Sequence, residues 1–349
     1  MITVHQAQFN DSRHLDGIDT QSIDLVVTSP PYPMIDMWDE MFGSLNPDVA
    51  AALSGLEADR AFELMHRELD KTWGQIFRVL KSGGMACINM GDAVRTIGDR
   101  FALYPNHARI LTALAQTGLT VLPSILWRKQ TNAPNKFMGS GMLPPGAYAT
   151  LEHEYILLFR KEPRRTFITE AQKRNRGASA FFWEERNRWF SDLWIDLKGT
   201  SQVLDAQSGR SRSAAFPFEL PYRLINMFSV KGDTVLDPFA GTGTTMYAAM
   251  AAGRNSIMVE KDAALEDAVM SRTSKIVPEA NARIRTRLDN HLRFIREREK
   301  NRVPIKYRNS YYGFPVVTRQ EIRLVFDQLE KLEQSTDGSF LVHYLPMDL

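Results

Sequence analysis

Two short stretches of the chain combine residue types that could do chemistry. Residues 28 to 32 read Thr28-Ser29-Pro30-Pro31-Tyr32, directly after the largely apolar run Ile23 to Val27. A strand of that kind is covered on both faces, and the proline pair stops it in a stiff turn, because proline fixes φ and brings no N–H. The turn offers a hydroxyl, carbonyl oxygens and an aromatic face at the end of a buried strand. The second stretch, Val235-Leu236-Asp237-Pro238-Phe239-Ala240-Gly241-Thr242-Gly243-Thr244-Thr245, reads as a strand, a glycine turn and a helix start. The first N–H groups of a helix have no intrahelical partner and form a ready site for polar or anionic groups.

The glycine turn excludes two common ligands. A P-loop requires lysine after its last glycine, and Thr244 stands there; a dinucleotide turn requires a third glycine where Met246 stands. What remains is a small zwitterionic ligand. Asp237 can meet an ammonium group, and Gly241 and Gly243 let the backbone approach closely. Glu260, at the end of the next predicted strand, is placed to accept two ribose hydroxyls, as acidic residues at this offset do in dinucleotide folds.

Taken together and in this order, the two motifs resemble the amino-group DNA methyltransferases, and DPFAGTGTT resembles their cofactor motif. The resemblance covers residues 1 to about 275. It implies S-adenosyl-L-methionine as cofactor, held by Asp237, Pro238, Phe239, Gly241, Gly243, Thr244, Thr245 and Glu260. The family's F-P-x-x-L stretch reads here Phe216-Pro217-Phe218-Glu219-Leu220 and implies cofactor contacts for Phe216 and Pro217. The His-Pro pair that many relatives carry just before it is absent, Arg212-Ser213 standing there. Asn10-Asp11-Ser12 resembles a Gly-Asp-Ser turn whose aspartate meets the adenine amino group, a role that falls to Asp11 although Asn10 replaces the glycine.

Resemblance also gives the first turn a task. The lone pair of an aromatic amine is delocalised into its ring, so a catalyst must hold both N–H groups while the nitrogen pyramidalises toward a methyl donor. Ser29 and the carbonyl of Pro30 are suitable acceptors, Pro31 stiffens the turn, and Tyr32 offers a ring to a base swung out of its helix. In the family, Asp at the first position marks most adenine enzymes and Ser most cytosine-amino enzymes. Ser29 therefore favours N4 of cytosine, with adenine N6 as the alternative. Carbon-5 methylation needs a Pro-Cys nucleophile, and the single cysteine, Cys87, follows Ala86 in a predicted core strand. Methylation of RNA or a small molecule on the same fold is a more distant reading. A non-catalytic DNA-binding protein is opposed by the intact Ser29, Tyr32, Asp237 and Glu260.

The elements that must position these residues alternate. Predicted strands are Ile2 to Ala7, Ile23 to Thr28, Met85 to Met90, Val121 to Arg128, Glu154 to Arg160, Thr234 to Asp237 and Ser256 to Glu260. Between them lie helices from Phe62 to Leu80, ended by Lys81-Ser82-Gly83-Gly84, from Pro105 to Gln116, Phe218 to Phe228, and Thr244 to Ala252. Residues 33 to 60 lack a period and read as a mobile loop. The pattern predicts an α/β fold, a doubly wound, mostly parallel sheet of the Rossmann-like methyltransferase type. The catalytic motif precedes the cofactor motif, so the chain is expected to be circularly permuted, as in the beta class.

Four parts are expected: 1–160, the catalytic half; 161–210, an inserted target-recognition region; 211–275, the cofactor half; and 276–349, a helical C-terminal extension. In the extension, Glu279 to Lys300 reads as a charged, solvated helix, and Thr318 with Glu321 makes a capping box. Net charge is only +2, so nucleic-acid binding rests on where the cations fall. Arg160, Lys161, Arg164, Arg165, Lys173, Arg174 and Arg176 crowd together, interleaved with Phe and Trp to residue 194. Arg174 and Arg176 are candidate phosphate contacts, as is Lys136 in the loop Asn132 to Gly146. The aromatics could form a small core or a wedge. One cysteine and seven scattered histidines predict no metal site and no intrachain disulfide. No stretch is long and apolar enough for a membrane span. The expected partner is double-stranded DNA, with a cognate restriction endonuclease a candidate, in a cytoplasmic, nucleoid-associated monomer or homodimer.

Overall fold

The computed structural model describes residues 1–129, 148–199, 216–273 and 275–348. In chain order its strands are β1 (Ile2–Gln8), β2 (Ile23–Thr28), β3 (Leu80–Met90), β4 (Ala93–Ile97), β5 (Arg100–Tyr104), β6 (Thr120–Arg128), β7 (His153–Arg160), β8 (Leu193–Trp194), β9 (Thr234–Asp237), β10 (Asn255–Val259), β11 (Tyr307–Arg308), β12 (Pro315–Val316), β13 (Asp327–Gln334) and β14 (Phe340–Pro346). The helices are α1 (Asp39–Leu45), α2 (Pro47–Ser54), α3 (Ala58–Val79), α4 (Asn106–Gln116), α5 (Glu170–Ala178), α6 (Trp183–Trp189), α7 (Glu219–Phe228), α8 (Thr244–Ala252), α9 (Glu266–Thr273) and α10 (Ile276–Lys300).

Among the described residues, ten strands make one sheet in the order β13-β14-β1-β10-β9-β2-β3-β7-β6-β8. The central five, β1, β10, β9, β2 and β3, are mutually parallel. Only β7 and β14 run against that direction, so the mostly parallel sheet read from the sequence is present. β2 is buried at all six positions. Leu25 and Val27 face one core cluster and Val26 the other, as strand alternation requires, while Ile23 joins Val26 because the strand is irregular between Ile23 and Leu25. α1 to α4 cover the second face; α7, α8, α10 and the aromatic segment cover the first. α8 is buried along its whole length, and its alanines let it lie close to the sheet.

Four expectations need correction. Residues 33 to 60 are not a loop: α1, α2 and the start of α3 occupy them, with Phe42, Val49 and Ala52 fully buried. α3 ends at Val79, and Gly83, at φ +82, serves instead an irregularity where β2 and β3 shift register. The C-terminal extension is only half helical. Its capping box at Thr318 and Glu321 is present but starts a short 3-10 turn, after which β13 and β14 extend the sheet through β1. The charged helix α10 is no solvated face, for Ile276, Ala280, Ile284, Leu288 and Ile295 are buried and Arg287 pairs with Glu185 at 2.7 Å.

Because the central strands are parallel, the sheet has two unlike edges. β1, β2, β3, β9 and β10 all point their carboxyl ends one way, and the turns after them meet there. The amino edge carries Ile23, Thr234, the first residues of β3 and the end of the opposed β7.

Candidate active site at the carboxyl edge

Parallel neighbours β2 and β9 bring the two sequence motifs side by side, with Leu25 opposite Val235 and Val26 opposite Leu236. Asp237 ties them together. Its Oδ1 accepts from Thr28 Oγ1 at 2.5 Å and from Phe239 N at 3.1 Å, and its Oδ2 accepts from Thr245 Oγ1 at 2.6 Å. One carboxylate thus joins the end of β2 to the first turn of α8. The group is 2 % exposed, and among the described residues no cation forms a salt bridge with it. Burial outweighs the three hydrogen bonds and, with Glu260 nearby, pushes its pKa up to about 6.

After Asp237 the backbone takes over. Gly241 and Gly243 have φ of +53 and +79, conformations that side chains disfavour, and a Cβ at Gly241 would meet nothing within 4 Å. The turn is therefore open on that side, as a ligand-accepting turn must be. Glu260, at the end of β10, accepts from Gly241 N at 2.7 Å through Oε2 and from Asp262 N at 2.9 Å through Oε1. Each oxygen keeps a further lone pair, and the side chain is half-buried, which fits a pair of hydroxyl donors. On the far side of β10, Asp11 follows β1. Burial opposes its charge, but Arg13, with Lys261 at 3.5 Å, outweighs burial and holds its pKa at about 2. Asp11 is thus a fixed anion at the rim. Phe216 is buried in the core below, and Pro217 and Pro238 frame the start of α7 and the turn. Thr244 Oγ1 accepts from Arg272 at 3.3 Å. These donors, acceptors and the open glycine turn fit the cofactor expected from the motif.

Around the proline turn the structure adds residues that sequence reasoning missed. Ser29 Oγ lies 3.0 Å from Tyr32 Oη, and Tyr32 Oη donates to Glu154 Oε2 at 3.0 Å. Asn89, at the end of β3, donates through Nδ2 to Glu154 Oε2 at 2.6 Å, to Tyr32 Oη at 2.9 Å and more weakly to Ser29 Oγ at 3.4 Å. Lys129, just after β6, donates to Glu154 Oε1 at 2.9 Å. Burial and the Glu154 charge push the Tyr32 phenol well above its ordinary pKa, so it stays a donor. Gly91 is required beside it: a Cβ there would come within 2.9 Å of the Tyr32 ring. Met34, two residues after Tyr32, holds a φ of +66, a strained value for a bulky side chain that the stiff turn enforces. Pro30 is buried and Pro31 half-buried. Cys87 lies fully buried in β3, where burial pushes its thiol up, out of reach of any nucleophilic role.

The basic cluster falls elsewhere. Arg165 pairs with Asp233 at 2.6 Å, Lys161 donates to the carbonyls of Phe77 and Leu80, and Arg160 and Lys173 pair with Glu162 and Glu170. Asn175 of α5, and Ser179 just past its end, bond the backbone of Lys231, shortly before β9. Arg174 and Arg176 are exposed on that helix, at the amino edge, with Arg176 lying 4.8 Å over the Phe167 ring. Six residues of β2, about 20 Å of strand, separate this edge from Ser29. Lys136 lies outside the described residues. Of the aromatics, Phe182 and Trp194 are buried in the main core and Trp189 is fully buried beneath Arg287, so these three serve the fold and not as a wedge; Phe190 is exposed. Glu184, His291 and Glu321 bring possible metal-ligand atoms within 4.8 Å of one another, but both ring nitrogens of His291 and both oxygens of Glu321 already have hydrogen-bond partners.

The N6/N4 methyltransferase family model, described as DNA methylase, matches residues 23–271. The chain is 50 % identical over 343 residues to the Type II methyltransferase M.MthZI of Methanothermobacter thermautotrophicus, covering 97 % of this chain and 95 % of that one. It is 47 % identical over 275 residues to the Type II methyltransferase M.MjaI of Methanocaldococcus jannaschii, covering 76 % and 89 %. A Thermus thermophilus protein described as a putative DNA modification methylase, solved with S-adenosyl-L-methionine, superposes with a TM-score of 0.62 at 32 % identity, over 79 % of this chain and 95 % of that one. PvuII DNA methyltransferase shares the fold, with a TM-score of 0.51 at 17 % identity over 80 % and 92 % of the two chains.

Proposed function

This chain belongs to the N6/N4 amino-group DNA methyltransferases, and within that family we propose that it methylates N4 of cytosine in a specific duplex sequence. That it is a site-specific DNA methyltransferase using S-adenosyl-L-methionine follows from the family and from its Type II relatives. The choice of base is supported by Ser29, the first residue of the turn, where most adenine enzymes carry aspartate. The bound cofactor supplies an electrophilic methyl group. Everything else is the work of this chain. Ser29 Oγ and the Pro30 carbonyl accept the two N–H bonds of the target amine, which frees its lone pair to leave the ring plane. Tyr32 lends its ring to the flipped base.

On the cofactor side, the same reading gives the ribose to Glu260, the adenine amino group to Asp11, and the ammonium to Asp237. Asp237 is buried, lacks a cation among the described residues and has one of four acceptor positions left after its three hydrogen bonds. Phe216, Pro217, Pro238, Phe239, Gly241, Gly243, Thr244 and Thr245 shape the pocket around it. The permuted chain order belongs to this proposal as well: the N-terminal β2 sits between β9 and β3, so the two halves named by sequence interleave in one sheet. A cognate endonuclease and the monomeric or dimeric state are further parts of it.

Nucleoside mass spectrometry of DNA treated with the protein tests the choice of base. N4-methylcytosine is the expected product; N6-methyladenine would overturn the cytosine reading and leave the family membership standing.

A further inference from the structure

Resting on the reading of Ser29 as an acceptor for the target amine, we propose that Glu154 is a positioning residue that fixes the direction of the Ser29 hydroxyl through Tyr32. The argument is one of hydrogen-bond polarity. A serine hydroxyl has one hydrogen and two lone pairs, and it can turn either end toward the substrate. An amine that must be held by its N–H bonds requires the lone pairs. If the hydrogen points at the amine, the contact is repulsive and competes for the lone pair that must attack.

The chain of contacts removes that freedom. Ionised Glu154 can only accept, so Tyr32 Oη, at 3.0 Å from Oε2, must donate to it. With its one hydrogen committed, the Tyr32 oxygen can only accept from Ser29, 3.0 Å away. The Ser29 hydrogen therefore points into the protein and its free lone pair points out. Asn89 reinforces the same polarity: it is 2 % exposed, and its Nδ2 hydrogens go to the Tyr32 oxygen and to Glu154, never accepting from either. Lys129 forms an ion pair with the same carboxylate, 2.9 Å from Oε1. Gly91 leaves room for the ring that carries the link. Charge, shape and hydrogen bonds from β3, β7, the turn after β2 and the residue after β6 thus converge on one hydroxyl. Tyr32 is doubly used in consequence, its ring for the base and its oxygen for Ser29.

The test separates polarity from packing. Glu154→Gln keeps size and shape but can donate to Tyr32, which reverses the chain and turns the Ser29 hydrogen outward. With unmethylated plasmid DNA and tritiated methyl donor, Glu154→Gln and Tyr32→Phe should each lower kcat roughly 10- to 100-fold, the range for losing a hydrogen bond to a charged group. Cofactor affinity by calorimetry and plasmid affinity should stay within about twofold of wild type, because neither ligand is held by Glu154. Glu154→Asp, still an obligate acceptor, should recover part of the rate. Unchanged kcat in Glu154→Gln, or an equal fall in Gln and Asp variants, would overturn the proposal. If Glu154→Gln does not fold, Tyr32→Phe decides alone, and an unchanged kcat there has the same meaning. Ser29→Ala serves as the control for the underlying reading: should it retain full kcat, the turn itself has been misassigned, an outcome distinct from failure of the Glu154 link.

Discussion

The two edges of the central sheet are both rich in charge, and they use it in opposite ways. At the amino edge, Asp24 and Asp233 are buried and met by cations of the chain: Lys81 on Asp24 at 2.7 Å, and Arg165 on Asp233 at 2.6 Å and on Asp24 at 3.6 Å. Asp24 also caps Thr234 N at 3.0 Å. That edge is electrically closed. At the carboxyl edge Asp237 is buried as deeply, yet it is surrounded by hydroxyls and an amide hydrogen, and Glu260 by backbone N–H groups. Asp11 and Glu154 at this edge do pair with Arg13 and Lys129, but among the described residues no cation forms a salt bridge with Asp237 or Glu260, and an ammonium-bearing ligand would supply one. Sites of function in an open α/β sheet lie at the carboxyl ends of the strands, and here the reason can be read in the pairing of individual carboxylates.

The contrast breaks most sharply at Ser29. Ser29→Ala removes one hydroxyl at a half-exposed position, so thermal unfolding should move little. Loss of the acceptor should lower kcat about 100-fold or more, comparable with losing one preorganised transition-state hydrogen bond. Cofactor affinity by calorimetry should not change. Wild-type turnover would show that the carboxyl edge works through groups other than this hydroxyl.

Arg165→Ala, at the opposite edge, should do the reverse. It leaves Asp233 buried without its bidentate partner, while Lys81 still serves Asp24. Arg165 is about a third exposed, so water recovers part of the loss. We expect a destabilisation of about 1–3 kcal/mol, seen as a lower denaturant midpoint, with kcat per folded molecule intact. A fall in kcat without a fall in stability would erase the distinction between the edges.

These two variants also mark what the sequence revealed. The boundaries of β9 and α8 agree with the residues expected, Thr234 to Asp237 and Thr244 to Ala252, because an apolar run, a glycine turn and a helix start are local signals. The strand ends that carry Ser29 and Asp237 were legible for the same reason. Asn89 and Glu154 were not. They lie 60 residues beyond Ser29 and 122 beyond Tyr32, and they meet the turn only because β3 pairs with β2 on one side and β7 on the other. Nothing local in the sequence sets that register. β13 was missed for a different cause: Asp327–Gln334 reads DQLEKLEQ, all good helix formers but one, and pairing with β14 overrides propensity. In α2, by contrast, a signal was present and unread, for Asn46 before Pro47 caps the N–H of Asp48 at 3.1 Å.

A pH titration sharpens the comparison further. Burial lifts the Asp237 pKa from 3.8 to about 6 in the folded protein. Between those values the folded form holds a proton that the unfolded chain has lost, so this group's contribution to stability is greatest at low pH and falls as pH rises through that window. An ammonium ligand prefers the ionised form. Its binding should therefore release a proton below about pH 6, and cofactor affinity should weaken by up to about tenfold per unit as the pH drops further. Calorimetry between pH 5 and 8 in buffers of different ionisation enthalpy would detect both effects, the range being set by the value of about 6. Flat affinity would place the ammonium away from Asp237.

The smallest effect is expected from the residues that looked most suited to DNA. Arg174 and Arg176 are exposed cations in a basic run, and phosphate contacts by them would give each a share of the salt dependence, roughly one unit of slope. Their helix, however, is fastened to the amino edge through Asn175 and Ser179, and the neighbouring cations are already matched by Asp233, Glu162 and Glu170. A base entering the pocket beside Ser29 brings its duplex to the other edge, about 20 Å away along β2. The double replacement Arg174→Ala with Arg176→Ala should leave DNA affinity within about twofold and the salt slope unchanged, even though it removes two positive charges from the surface. Fluorescence anisotropy with a long duplex at several salt concentrations measures both. A slope reduced by one or two units would mean that the duplex reaches across to the amino edge, and the segment 161–199 would regain the phosphate-holding role that its composition suggested. An unchanged slope assigns α5 to the closed, structural edge and leaves recognition to chain near the carboxyl ends of the strands.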